Sequence, residues 1–288
     1  MEQQTPFRDW VRSYAAWRAQ GESFPLGQYA PLPRPEIRPD LPPALVFSPH
    51  PDDEVITGAL PLRLLREQGR PVCNVAVTLG SNRERQLPRW EELQRCCDYL
   101  GMEVIRTRER GLEGIKLQTR SSNPEKWADA VQCVADILAE RKPGIVFFPH
   151  ERDWNSTHIG THYLVADALA RMPAEFECLC VESEYWGAMD DPNLMVEVSE
   201  DLLADQITAL TFHVGEVNRN PYHLSLPAWM ADNVRRGGEI VGGQGAAPPD
   251  FLFATLYRLR RWRGGRFEPA LERGRFVGRD EDLSRLFP

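Results

Sequence analysis

Residues 44–54 read ALVFSPHPDDE, and this stretch decides the fold. Its first five residues form an apolar run of strand length, the pattern of a strand buried on both faces of a parallel sheet. Directly behind them stand one imidazole, His50, and three carboxylates, Asp52, Asp53 and Glu54. Open α/β sheets bind their ligands just beyond the carboxyl ends of the strands. Adjacent acids at such a point repel one another unless a cation or hydrogen-bond donors offset them. His50 and Asp53, three residues apart, can reach one divalent cation from a single turn. Helix capping by Asp52 or Asp53 is the competing explanation, but a cap has no use for His50.

Outward from this stretch, apolar runs alternate with helical patterns, the signature of repeated βαβ units. Strands are expected at 44–48, 72–79, 103–107, 144–149 and 176–186, and a last one at 251–259. Helices are expected at 54–69, 87–101 (with Pro88 in the first turn), 125–144, 158–171 and 200–217, leaving 218–250 irregular. The fold class that follows is α/β, a three-layer sandwich around a mostly parallel sheet in the doubly wound order 3-2-1-4-5. Residues 1–43, an amphipathic helical stretch (PFRDWVRSYAAWRAQ) and a proline-rich run (PLPRPEIRPDLPP), form an N-terminal arm. Residues 44–288 form a single domain with an irregular C-terminal extension.

A chain of 288 residues that is 42% hydrophobic can bury a large core. The formal net charge of −8 argues against nucleic acid or an anionic membrane as partner, since both recruit clustered Lys and Arg. The basic stretch YRLRRWRGGR (257–266) reads as a solvated strand end and turn. No apolar run approaches the roughly 20 residues of a membrane helix, and no leader pattern opens the chain, so a cytoplasmic protein without membrane insertion is expected. The six cysteines lack zinc-site spacing and read as reduced thiols. The amphipathic arm is free to pack on a neighbouring subunit, which makes a homo-oligomer an expectation.

A second polar cluster, PHERDWNSTHIGTH (149–162), follows the fourth strand and holds three of the six histidines. In the doubly wound order the first and fourth strands are neighbours, so both clusters open onto one crevice. A catalytic zinc takes three protein ligands and leaves a position for water. Here they are His50, Asp53 and one histidine of the second cluster. His158 lies nearer the loop mouth and is preferred; His162, four residues on along the same helical face, is then a buried hydrogen-bonded histidine, and a pair in which both bind stays open. Arg83 and Arg89 near the second loop, with Asp153 and Trp154, are candidates for substrate contact. Carboxylate and imidazole accept iron(II) as readily as zinc.

With these residues in hand, the sequence resembles the PIG-L or LmbE-like zinc-dependent N-deacetylases, whose [A/S/P]-H-P-D-D-E signature is matched by Pro49-His50-Pro51-Asp52-Asp53-Glu54. The likeness runs from about Ala44 to Trp186 and includes Thr78-Leu79-Gly80, Arg89, Glu92 and Leu100-Gly101. It implies a Rossmann-like sheet, His50, Asp53 and His158 as zinc ligands, and Asp52 as general base. It also implies an N-acetylated amino sugar, of N-acetylglucosamine type, or its conjugate as the small-molecule substrate. Asn155 stands where the family has the first histidine of a His-x-x-His pair. An asparagine can donate to an oxyanion but cannot deliver a proton. Either Asp52 carries both proton transfers, or His162, His150 or Asp153 substitutes. A hydrolase of an ester or phosphoester, and a catalytically weak sugar-binding homologue, are the alternatives.

Overall fold

The computed structural model describes residues 5–288, so the first four residues of the expected arm lie outside the described residues. Five parallel strands, β1 (Ala44–Ser48), β2 (Val72–Ala76), β3 (Glu103–Arg106), β4 (Ile145–Pro149) and β5 (Cys178–Ser183), stand in the order β3-β2-β1-β4-β5. The sheet continues through β6 (Leu194–Glu197), β7 (Ala254–Arg263), β8 (Arg266–Pro269) and β9 (Arg275–Val277). Here β7 runs antiparallel to β5, β6 and β8, while β9 runs parallel to β6. The register sets Ala44 opposite both Val72 and Ile145, so the loops leaving β1 and β4 start side by side.

Strand alternation divides the core into two layers. Ala44, Val46, Ile145 and Phe147 face one apolar cluster, and Leu45, Phe47, Val146 and Phe148 face the other. Among the described residues there are ten α-helices: α1 (Pro6–Gly21), α2 (Asp53–Ile56), α3 (Leu60–Gln68), α4 (Arg83–Leu100), α5 (Leu117–Ser122), α6 (Pro124–Arg141), α7 (Ser156–Leu169), α8 (Glu200–Leu210), α9 (Val214–Arg219) and α10 (Leu226–Gly242). Of these, α3, α4 and α8 cover the first layer, while α6 and α7 cover the second. Among the described residues no helix is long and apolar enough to cross a membrane.

The structure departs from the sequence expectation where tertiary contacts override local pattern. The helix expected at 54–69 is cut at Gly58, whose φ of 99° only glycine adopts readily. A Cβ there would lie 2.4 Å from both Thr255 Cγ2 and Tyr257 Oη. The helix expected at 200–217 stops at Leu210 and restarts at Val214, leaving His213 in the kink. Pro88 sits inside α4, which begins at Arg83 behind an Asn82 cap. Residues 226–242, expected to be irregular, are α10. Its pair Gly237-Gly238 lowers helix propensity but admits close packing: a Cβ at Gly237 would meet Met195 Cε at 2.2 Å. Nor is 257–266 merely a solvated end, because Arg258 is buried and donates to Glu182, Glu151 and Asp191. The arm helix α1 buries only Gly21.

Candidate metal centre and crevice

The turn after β1 presents its polar groups through an unusual backbone. Asp52 takes the left-handed conformation, φ 105° and ψ −30°, and its side chain makes no cap bond to α2. Instead Glu54 Oε2 accepts from the Asp52 backbone N–H at 2.8 Å, and Asp53 Oδ2 accepts from the His50 N–H at 2.8 Å. Capping therefore does not explain these acids. The other half of the site comes from the loop after β4, where Asn155 Oδ1 accepts from Thr157 N at 2.8 Å and starts α7. One turn of α7 then carries His158 towards β1.

Three ligand atoms converge. His50 Nδ1 lies 3.2 Å from His158 Nε2 and 3.3 Å from Asp53 Oδ2, and Asp53 Oδ2 lies 3.2 Å from His158 Nε2. A tetrahedral zinc with bonds of about 2.0–2.1 Å holds its ligands about 3.3–3.4 Å apart, so this triangle fits such an ion. Burial would raise the Asp53 carboxyl, but the His158 and His50 imidazoles outweigh it and hold the group below its ordinary range. Burial lowers the His50 imidazole. Burial would also lower His158, yet the charge of Asp53, with hydrogen bonding to Asp153 and Asp53, lifts it to about 10. The cluster calls for positive charge at its centre, which a proton or a cation can supply.

Asp153 stands behind His158, with Oδ1 3.6 Å from Nδ1. Its carboxylate also accepts from the backbone N–H of Asn155 (2.7 Å), Trp186 (3.1 Å) and Gly187 (3.2 Å). Metal-ligating histidines commonly have such a carboxylate partner. The Tyr185 ring packs edge-on against His158 with centroids 4.9 Å apart.

The triangle opens onto a crevice of about 930 Å³ whose lining includes Asp52, Arg83, Arg89, Trp154, Asn155 and Trp186. Trp154 is 84% exposed and forms the rim. Arg83 is also largely exposed and pairs with Glu113 at 3.3 Å. Arg89 is mostly buried, and its Nη2 donates to Pro51 O at 2.8 Å, fixing the turn from below. Asp153 lies buried behind His158 instead of lining the crevice.

The structure does not bring His162 to the crevice. Its Nδ1 bonds Pro149 O at 3.0 Å and lies 3.3 Å from Glu182 Oε1, within an ion network with Arg258 and Arg260. His150 likewise turns away, its Nε2 on Gly187 O at 2.8 Å. Glu151, His162 and Glu182 are close enough together to suit a cation, but the arginines already neutralise the two acids. Sequence reasoning missed Tyr222, His213 and Glu216, all on or beside α9. Tyr222 Oη donates to Asp52 Oδ2 at 2.6 Å, and Glu216 ties Arg85, Arg89 and Arg219 along the crevice wall. No spacing signals contacts across 170 residues.

Residues 45–169, which contain the whole triangle, match the family model described as PIG-L: GlcNAc-PI de-N-acetylase. Over that segment the chain is similar to the PIG-L family. A probable N-acetyl-α-D-glucosaminyl L-malate deacetylase 2 of Bacillus cereus is 28% identical over 189 residues, 59% of this chain and 81% of the relative. Among solved structures, the N,N′-diacetylchitobiose deacetylase of Pyrococcus horikoshii superposes with a TM-score of 0.55 at 16% identity, over 92% of this chain and 96% of its own. The 4-carboxy-2-hydroxymuconate hydratase of Pseudomonas putida gives a TM-score of 0.55 at 16% identity, over 76% and 96%. The likenesses to solved structures show a shared fold and nothing more. Because one neighbour is a hydratase, the reaction has to be argued from the site.

Proposed function

We propose that this protein is a metal-dependent hydrolase that removes the N-acetyl group from an N-acetylglucosamine-type sugar conjugate. The triangle of His50, Asp53 and His158 beside the uncapped carboxylate of Asp52 carries this reading. Its three ligand types suit zinc, and iron(II) equally by donor chemistry. Bound there, the cation supplies Lewis acidity towards the acetamide carbonyl and towards water.

The chain's own residues supply the rest. Asp52 Oδ1 takes the proton of the attacking water, and the protonated carboxyl then hands it to the departing amine. Asn155, whose carboxamide oxygen is committed to the α7 cap, offers its N–H donors to the oxyanion. A donor of that kind is typically worth about 3–4 kcal/mol. With His162 and His150 turned away from the crevice, Asp52 serves both proton transfers. Trp154 and Trp186 on the rim offer flat faces to the sugar.

The remainder of the conjugate is proposed to be anionic. Lys116 and Lys126 line the crevice, and among the described residues no carboxylate pairs with either. The Bacillus cereus relative, by its name, acts on a malate conjugate.

Elemental analysis paired with acetate release from N-acetylglucosaminyl L-malate and N,N′-diacetylchitobiose tests the reading. Asp52→Asn is expected to keep the metal and lose at least about 100-fold in kcat, within the 10²–10⁴ of general base catalysis. His158→Ala is expected to lose both metal and turnover. Full metal content in His158→Ala, or full turnover in Asp52→Asn, refutes it.

A further inference from the structure

The left-handed backbone of Asp52 is a conformation that a non-glycine residue holds only where its surroundings enforce it. Two contacts hold this residue, one on its main chain and one on its side chain, and both originate in residues 213–222, outside the segment matched by the family model. From one side, His213 Nε2 bonds Glu54 Oε1 at 2.6 Å, and Glu54 Oε2 accepts from the Asp52 N–H at 2.8 Å. His213 and Glu54 are both buried. From the other side, Tyr222 Oη donates to Asp52 Oδ2 at 2.6 Å, and Oδ1, with Arg89 Nη2 3.9 Å away, is left outside that bond in a residue that lines the crevice.

Between these two residues runs α9, itself tied down. Gly215 N donates to Glu92 Oε1 at 3.0 Å, and Glu216 is held by Arg85, Arg89 and Arg219. The two holds act on different degrees of freedom. The His213–Glu54 pair fixes the main chain of Asp52, and the Tyr222 phenol fixes its side-chain torsions.

We propose that residues 213–222 form a brace that aims Asp52, with Tyr222 and His213 as positioning residues for the proposed hydrolysis, on which this inference rests. A carboxylate acting as general base is effective only when one oxygen points at the water it deprotonates. Removing the phenolic hydroxyl leaves the ring in place but frees the Asp52 carboxylate to rotate. The rate then falls while substrate affinity and the metal ligands are untouched.

The test is a double-mutant cycle between Tyr222→Phe and Asp52→Asn in the full-length, zinc-loaded protein, read as acetate release from N-acetylglucosaminyl L-malate. Tyr222→Phe is expected to lower kcat about 10–100-fold, the range of a lost hydrogen bond to a charged group, with KM within about threefold and zinc content unchanged. In the Asp52→Asn background the same change should have little further effect. His213→Gln, which keeps a donor near Nε2, should retain most of kcat, and His213→Leu should not.

The cycle is also read by urea denaturation in chelator, which needs no substrate. There the second partner is Asp52→Ala, which removes the acceptor oxygen that Asn would keep, and the midpoint loss from Tyr222→Phe should largely vanish in its background. An unchanged kcat in Tyr222→Phe with Asp52→Asn inactive overturns the brace alone. Full activity in Asp52→Asn overturns the brace and the proposed function together. Midpoint losses that simply add show that the hydrogen bond is absent and overturn the brace.

Discussion

Replacing Asp153 by Asn separates a residue that supports the metal site from one that touches substrate. The buried carboxylate receives three backbone N–H groups at 2.7–3.2 Å and faces His158 Nδ1 at 3.6 Å. An asparagine of the same shape has one acceptor oxygen. Placed to serve Trp186 and Gly187, it turns its NH₂ towards Asn155 N, leaving one buried donor unsatisfied at a cost of about 1–3 kcal/mol. It also removes the anion behind His158, and losses of this type reduce metal affinity about 10–100-fold, or about 1.4–2.8 kcal/mol. The expected result is weaker zinc retention against a competing chelator and a lower urea midpoint in the metal-free protein. At saturating zinc, KM should match wild type, since Asp153 does not line the crevice. Unchanged zinc affinity with KM raised tenfold would refute this argument and restore Asp153 to substrate binding.

Two further outcomes are expected. Burial would raise the Glu151 carboxyl, but hydrogen bonds to Arg258 and its own backbone outweigh burial and hold it at about 2. With a folded value below the unfolded one of about 4.3, its contribution is full above the unfolded value and is lost as pH falls from about 4.3 to 2. For a part-exposed group this amounts to no more than about 1–2 kcal/mol. Glu151→Gln should therefore flatten the acid limb of urea midpoints, and an unchanged limb would contradict it. The arm helix leaves Phe7 73%, Trp10 65% and Trp17 64% exposed, more apolar surface than monomers usually present. Light scattering is expected to find an oligomer that Trp10→Ser with Trp17→Ser reduces to monomer; a monomeric wild type would rule this out.

The five parallel strands and their order were legible in the sequence because each is a short apolar run followed by a helical period, and βαβ connections leave few topologies. For the same reason the convergence of His50, Asp53 and His158 was legible: they follow two strands that the topology makes neighbours. The helix breaks at Gly58 and at residues 211–213 were not, since the first depends on Tyr257 and Thr255 crowding from β7 and the second on His213 reaching Glu54. His162 shows the limit of reasoning from spacing. Four residues from His158, it shares a helical face, yet Pro149 O and Glu182 draw its ring into an ion network away from the crevice.

By itself, the sequence determined the order of the five parallel strands and which residue types stand at their carboxyl edge, because local periodicity and chain connectivity are written in consecutive residues, whereas the placement of β6 to β9 came only with the tertiary structure. Only the tertiary structure decided how each acid there is used. Tyr222 and His213 meet Asp52 and Glu54 across 170 and 159 residues, and such contacts arise from packing that no local pattern encodes.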